Sequence, residues 1–254
     1  MTLLAVERIK LFTTRSPWWC TLIALGVTVG FAALMAGTAE VEVPMTISAS
    51  QFGYGFGMVV VMVMAALAVT TEYRFSTIRA TFQAVPNRTA ALLAKTVVVA
   101  LLAGVIGLVA AFGSWGIAAA MTPNADLAIN TAYEWRAVAG VGLIYAVAAV
   151  ISVAVGILVR HSAGAISLLL IYMNLVENLV TLIPTIGPKI HQWLPFNLAH
   201  HFLTGSPDPT GRPVEFGPGL SDATVGPWPA LAIFAGFGLL MLAISLVVAN
   251  RRDA

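Results

Sequence analysis

Apolar residues along this chain gather in six runs, near residues 17–37, 51–71, 96–121, 137–159, 162–183 and 227–250. Each is long enough to cross the hydrocarbon core of a bilayer, which takes about 20 helical residues. Only Arg160-His161 separate the fourth run from the fifth, which predicts a tight hairpin. Together the runs fill more than half of the 254 residues. The pattern therefore predicts an all-α integral membrane protein with six transmembrane helices, forming a single transmembrane domain over residues 1–254.

Between the second and third runs the pattern changes. The segment from Glu72 to Arg88 holds four charged residues, Glu72, Arg74, Arg79 and Arg88, in a chain where 9% of residues are charged. Phe75, Ile78, Phe82 and Val85 recur at steps of three and four, as on one face of a helix. Pro86 disfavours helical geometry at Val85 and predicts the helix end there. The expectation is an amphipathic helix over 73–85, about 15–20 Å long at 1.5 Å per residue. Such a helix either lies in the lipid interface or serves as a docking knob for a partner. Tied to two spans, it would turn partner motion into span motion.

Composition agrees: 59% of residues are hydrophobic and mean hydropathy is +0.91. Arg8, Lys10 and Arg15 precede the first apolar run, as in a signal peptide. The run exceeds a typical signal core in length, so it reads as a retained span. Lone Cys20 excludes an internal disulfide and a cysteine-based metal cluster. A net charge of +2 gives no reason to expect nucleic acid as a partner; the basic clusters suit topology and anionic membrane lipid.

Ten of the thirteen basic residues fall in the N-terminal segment, the 72–95 segment, the 160–161 turn and Arg251-Arg252. The opposite side carries Arg136, Lys189 and Arg212, with Glu40, Glu42, Asp126, Glu134, Asp208, Glu215 and Asp222. The positive-inside rule then puts both termini and the 72–95 segment in the cytoplasm, and residues 184–226 outside. Ten arginines against three lysines suit a GC-rich bacterial genome. With six apolar helical runs, the expected location is a bacterial cytoplasmic (inner) membrane.

Glu72, Ser76-Thr77-Ile78-Arg79, Pro86-Asn87-Arg88 and Lys95 resemble the first cytoplasmic loop of the type-2 ABC transporter permeases. The usual form there is E-x-x-x-G-T-x-R, then proline with a basic residue after it, then a lysine opening the next span. This chain departs at Ser76, where glycine is commoner. Pro195-Phe196-Asn197 before the last span and the six-span plan are similar to that family too. The resemblance implies an ABCG-like exporter membrane subunit with an N-terminal interfacial helix and a cytoplasmic coupling helix. It also implies external re-entrant helices between spans five and six. The partners it implies are a cytoplasmic P-loop ATPase subunit and a second permease copy, as homodimer or paralogue. Coupling to the ATPase would fall to Glu72, Arg74, Phe75, Ile78, Arg79, Phe82 and Arg88. The apolar residues of 3–12, where the interfacial helix belongs, form no clean helical stripe.

No G-x-x-x-x-G-K-[ST] occurs, so this chain has no P-loop; if ATP drives it, ATP and Mg belong on the partner subunit that the resemblance implies, with no cofactor expected in this chain. Neither H-E-x-x-H nor G-x-S-x-G is present, and no catalytic residue is assigned. Ser167, Asn174, Glu177, Asn178 and Thr181 fall along one side of the fifth span. A carboxylate inside a span marks a functional site by default. Glu177 lies about 9 Å from the outer end. The stripe either lines a substrate path, with Tyr54, Met58 and Met62 of the second span, or joins helices as polar contacts. Gly53 and Gly57 form a small-x-x-x-small pair suited to close helix contact. "PKIHQWLPFNLAHHFLTG" predicts short amphipathic helices at the outer leaflet, broken at Pro195, and residues 206–227 an irregular loop. His191, His200 and His201 have no carboxylate at ligand-like spacing, so no metal site is expected.

The reading that results is the permease subunit of an ATP-driven exporter moving a drug-like, lipid or peptide substrate outward. The rivals are a non-transporting membrane scaffold or immunity protein, and a membrane enzyme acting on lipid through Glu177 and an external histidine.

Overall fold

The computed structural model describes residues 2–39, 45–85, 87–205, 218, 221 and 223–251. The described residues form helices and turns, with no strand among them. They comprise α1 (Leu3–Thr13), α2 (Arg15–Gly37), α3 (Ile47–Ser50), α4 (Tyr54–Arg74), α5 (Thr77–Ala84), α6 (Arg88–Met121) and α7 (Ala132–Val159). There follow α8 (Ser162–Ile171), a π-helical turn (Tyr172–Val176), α9 (Glu177–Val180), α10 (Gly187–His191), α11 (Pro195–Thr204) and α12 (Pro227–Arg251).

Among the described residues, six helical stretches are long and apolar enough to cross a membrane: Arg15–Gly37, Ile47–Arg74, Arg88–Met121, Ala132–Val159, Ser162–Val180 and Pro227–Arg251. Several outrun the apolar windows. α6 starts at Arg88, because the Asn87 side chain accepts a hydrogen bond from Ala90 N at 3.0 Å and so caps the helix in polar sequence. α7 starts at Ala132 behind a capping box, in which Thr131 and Glu134 satisfy each other's backbone N–H groups.

α7 is the most buried of the six and packs against α4, α6, α8, α11 and α12. Its Ile144, Tyr145 and Ala148 are fully buried. Small residues let the helices close on one another. A Cβ on Gly53 would lie 2.7 Å from the Thr28 carbonyl oxygen of α2, and one on Gly57 would strike Thr28 Oγ1 and Tyr145 OH. Both glycines are therefore contact points, of α4 with α2 and, at Gly57, with α7 as well.

One end of the bundle gathers α1, the close of α4, α5, the start of α6 and the close of α12, where Asn250 Nδ2 donates to Thr89 Oγ1 at 2.8 Å. We call this the near end. α3, α10 and α11 lie at the far end. Pro195 opens α11 at its first turn, where a missing N–H costs nothing. α11 is buried against α7 and α12 rather than spread on the surface. Most of the 206–227 loop lies outside the described residues, as do Glu40, Glu42, Pro86 and Arg212.

Candidate functional site

The expected helix over 73–85 is shorter and begins later. α4 runs on to Arg74, Phe75 caps it, and Ser76 takes the left-handed conformation, φ 58° and ψ 12°. That turn redirects the chain, and only Thr77–Ala84 form the short helix. Val85 is extended, as a residue before proline tends to be. Phe75 and Val85 therefore lie outside the helix that carries Ile78 and Phe82. The departure from glycine at Ser76 falls on the very residue whose backbone favours glycine.

Ile78 is buried, and Phe82 is half-buried with the Arg88 guanidinium 5.3 Å above its ring. These two residues face the chain itself. Phe75 is 67% exposed, Arg74 stacks 5.5 Å over its ring, and Arg79 is exposed. An outward face of two arginines and one aromatic results.

Behind this face lies a partly buried ion cluster that periodicity does not reveal. Lys95 of α6 donates to Glu7 Oε2 of α1 and, at 2.9 Å, to Glu72 Oε1 of α4. Lys10 of α1 donates to Glu7 Oε1 at 2.9 Å, to Thr81 Oγ1 of α5 at 3.0 Å and, more weakly, to Glu72 Oε1 at 3.5 Å. Two ammoniums balance two carboxylates. Burial opposes the charge on Glu7, but Lys95 and Lys10 together outweigh it and hold the carboxyl below its ordinary value. Burial likewise opposes the charge on Lys10, and hydrogen bonding to Glu7 with the charge of Glu72 outweighs it, raising the ammonium. The cluster ties α1, α4, α5 and α6 at one point. It explains how α1 is held without a clean apolar stripe: its buried residues are Glu7 and Leu11. The signal in the sequence was an isolated acid, Glu7, inside a basic segment.

The polar residues of the fifth span separate. Glu177 is 3% exposed, while Ser167, Asn174, Asn178 and Thr181 are exposed. The π-helical turn Tyr172–Val176 widens the helix just before Glu177 and shifts the register that a uniform 3.6-residue period assumes. Glu177 caps α11: its two oxygens accept from Phe196 N at 3.1 Å and Asn197 N at 2.9 Å. A carboxylate suits the positive end of a helix. Asn174 Nδ2 and Asn178 Nδ2 donate back to the Leu170 and Asn174 carbonyls, and Thr181 Oγ1 donates to the Asn178 carbonyl.

Tyr54, Met58 and Met62 are buried inside the chain, not on the surface that carries Asn174 and Asn178. Tyr54 OH is hydrogen-bonded to His200 Nδ1 at 2.6 Å, and Tyr145 OH donates to the Tyr54 carbonyl at 2.7 Å. His201 Nε2 donates to the Val225 carbonyl at 2.7 Å. Among the described residues no three of His, Cys, Asp and Glu come together as a metal site. No protein-family model matches the chain, and no curated protein matches it.

Proposed function

We propose that this chain is the membrane-spanning permease subunit of a bacterial ATP-driven exporter, docked on a separate P-loop ATPase. The observation that supports it best is the pairing of an outward Arg74–Phe75–Arg79 face with a four-charge cluster behind it, of which Glu7 and Lys95 are buried and Glu72 and Lys10 partly so. A subunit pressing on that face would move α5, and the Thr81–Lys10 bond would pass the displacement through Glu7 and Glu72 to Lys95, and so to α4 and α6. α5 is then the coupling helix, α1 the interfacial helix, and the near end cytoplasmic.

Asn174, Asn178 and Thr181 are exposed on a span where lipid offers no hydrogen bonds. A second permease copy on that face would cover them and set a substrate path between the two copies. Tyr54, Met58 and Met62 sit behind the path in this reading, and Glu177 holds α11 beside it. Against the rival enzyme reading weighs the engagement of Glu177, which is 3% exposed and accepts from two backbone N–H groups of α11.

The test is affinity purification in mild detergent, mass spectrometry of the eluate and an ATPase assay. A stoichiometric P-loop protein is expected, and it should be lost on Phe75→Ala with Arg79→Ala. A chain that purifies without nucleotide-hydrolysing company, under conditions that preserve known complexes, would overturn the proposal.

A further inference from the structure

A cavity of about 950 Å³ opens at the near end between α1, α4, α5, α6 and the α1–α2 turn. Ligand pockets span roughly 300–1,000 Å³, so this one has room for a whole small molecule. Its deeper walls are aliphatic, with Leu11 of α1, Met64 and Leu67 of α4, and Val98 and Val99 of α6. Lys10, Lys95, Glu7 and Glu72 also line it, and they neutralise one another. The unbalanced charge is Arg15, which lines the cavity from the α1–α2 turn, is exposed, and pairs with no acid among the described residues.

The same turn marks a membrane depth. Phe12, Trp18 and Trp19 are exposed beside it, at 43%, 56% and 63%, and Trp18 Nε1 donates to the Phe12 carbonyl at 3.2 Å. Exposed tryptophans at the end of a span settle at the level of lipid headgroups. The cavity thus combines an aliphatic interior, a guanidinium without an acid partner among the described residues, and a mouth at headgroup level.

From this juxtaposition we propose that the cavity seats one anionic phospholipid, with its phosphate at Arg15 and an acyl chain against Met64, Leu67 and Val99. The proposal does not depend on the transporter reading, since it needs neither an ATPase nor a second copy. A bound lipid would fill the space between α1 and the bundle and so brace the helix that carries Glu7 and Lys10.

Native mass spectrometry of the detergent-purified full chain tests it, by titration with palmitoyl-oleoyl phosphatidylglycerol, the matching phosphatidylcholine, and glycerol phosphate alone. One phosphatidylglycerol per chain is expected, preferred over phosphatidylcholine, with no retention of glycerol phosphate. Arg15→Gln should weaken it roughly fivefold, the factor for one basic side chain at an anionic lipid surface. Arg8→Gln, which removes an exposed charge of α1 that does not line the cavity, should leave it unchanged. Ala68→Phe, which fills the cavity from α4, should abolish it; if that variant fails to fold, the Arg15 and headgroup comparisons decide. Equal binding of both lipids, equal loss from Arg8→Gln and Arg15→Gln, retention of glycerol phosphate alone, or added mass from a second chain only would each overturn the proposal.

Discussion

Replacing Lys95 by Met should free α1 from the bundle. Lys95 and Glu7 are each 5% exposed, and Lys95 bonds both carboxylates of the cluster. Its loss removes two charge-assisted hydrogen bonds and leaves Glu7 and Glu72 facing Lys10 alone. Breaking a buried pair by removing one partner costs about 3–5 kcal/mol. Lys10 is 37% exposed, and pairs that reach solvent contribute about 0–1 kcal/mol, so Lys10→Met is expected to have a far smaller effect. Amide hydrogen exchange across residues 3–13 measures the difference. At about 1.4 kcal/mol per factor of ten, exchange in α1 should accelerate by roughly two to three and a half orders of magnitude in the Lys95 variant. Adding Glu7→Gln to Lys95→Met removes the uncompensated charge and should restore part of the protection. If Lys95→Met and Lys10→Met both left α1 exchange within a few-fold of the parent, the cluster would not be what anchors the helix.

Four further outcomes are expected. Ser76→Gly should be tolerated, with a stability change within about 1 kcal/mol, since relief at φ 58° offsets glycine's entropy; Ser76→Val should cost about 1–2 kcal/mol and expose the 75–77 joint to protease. Gly57→Val should lower thermal stability by about 1–3 kcal/mol through overpacking against Thr28 and Tyr145, with Gly55→Val, where a Cβ meets open space, as the control. The ionic anchoring of α1 has defined pH limits. The Glu7 carboxyl is depressed, so its share is present above the unfolded carboxylate value and is lost only as pH falls through the lower folded one; the Lys10 ammonium is raised, so its share is present below its unfolded value and is lost as pH climbs through the higher folded one. α1 protection factors, corrected for the intrinsic pH dependence of amide exchange, should therefore hold through the ordinary carboxylate range, fall below it, and fall again above the ordinary lysine range. Glu177→Gln turns one acceptor into a donor facing a backbone N–H of α11, and should cost about 1–3 kcal/mol with faster exchange at Phe196 and Asn197.

The six apolar helices were legible because about 20 apolar residues in sequence have few alternatives to crossing a bilayer. Their true ends were not, since caps such as Asn87 and Thr131 extend helices into polar sequence that a hydropathy window discards. The joint at Ser76 escaped periodicity, because Phe75, Ile78, Phe82 and Val85 keep helical spacing across a backbone break; the absent glycine was the clue. The cluster of Glu7 and Lys95 joins residues 88 positions apart, a pairing that local patterning cannot see. The fifth span misled for a different reason. A five-residue π-helical turn changes the period midway, so Glu177 faces α11 while Asn174 and Asn178 stay on the surface. Gly53 and Gly57, by contrast, lie where a small-residue pair would place them, against α2.

The most direct test of the proposed role is a photo-crosslinking residue placed in turn at Phe75, at Arg79 and at Leu101, an exposed position of α6 well inside the span. Irradiation in intact cells should join the chain to a P-loop ATPase from Phe75 and Arg79, and not from Leu101. Crosslinks to lipid alone from all three positions would make α5 an interfacial anchor and would contradict the transporter reading.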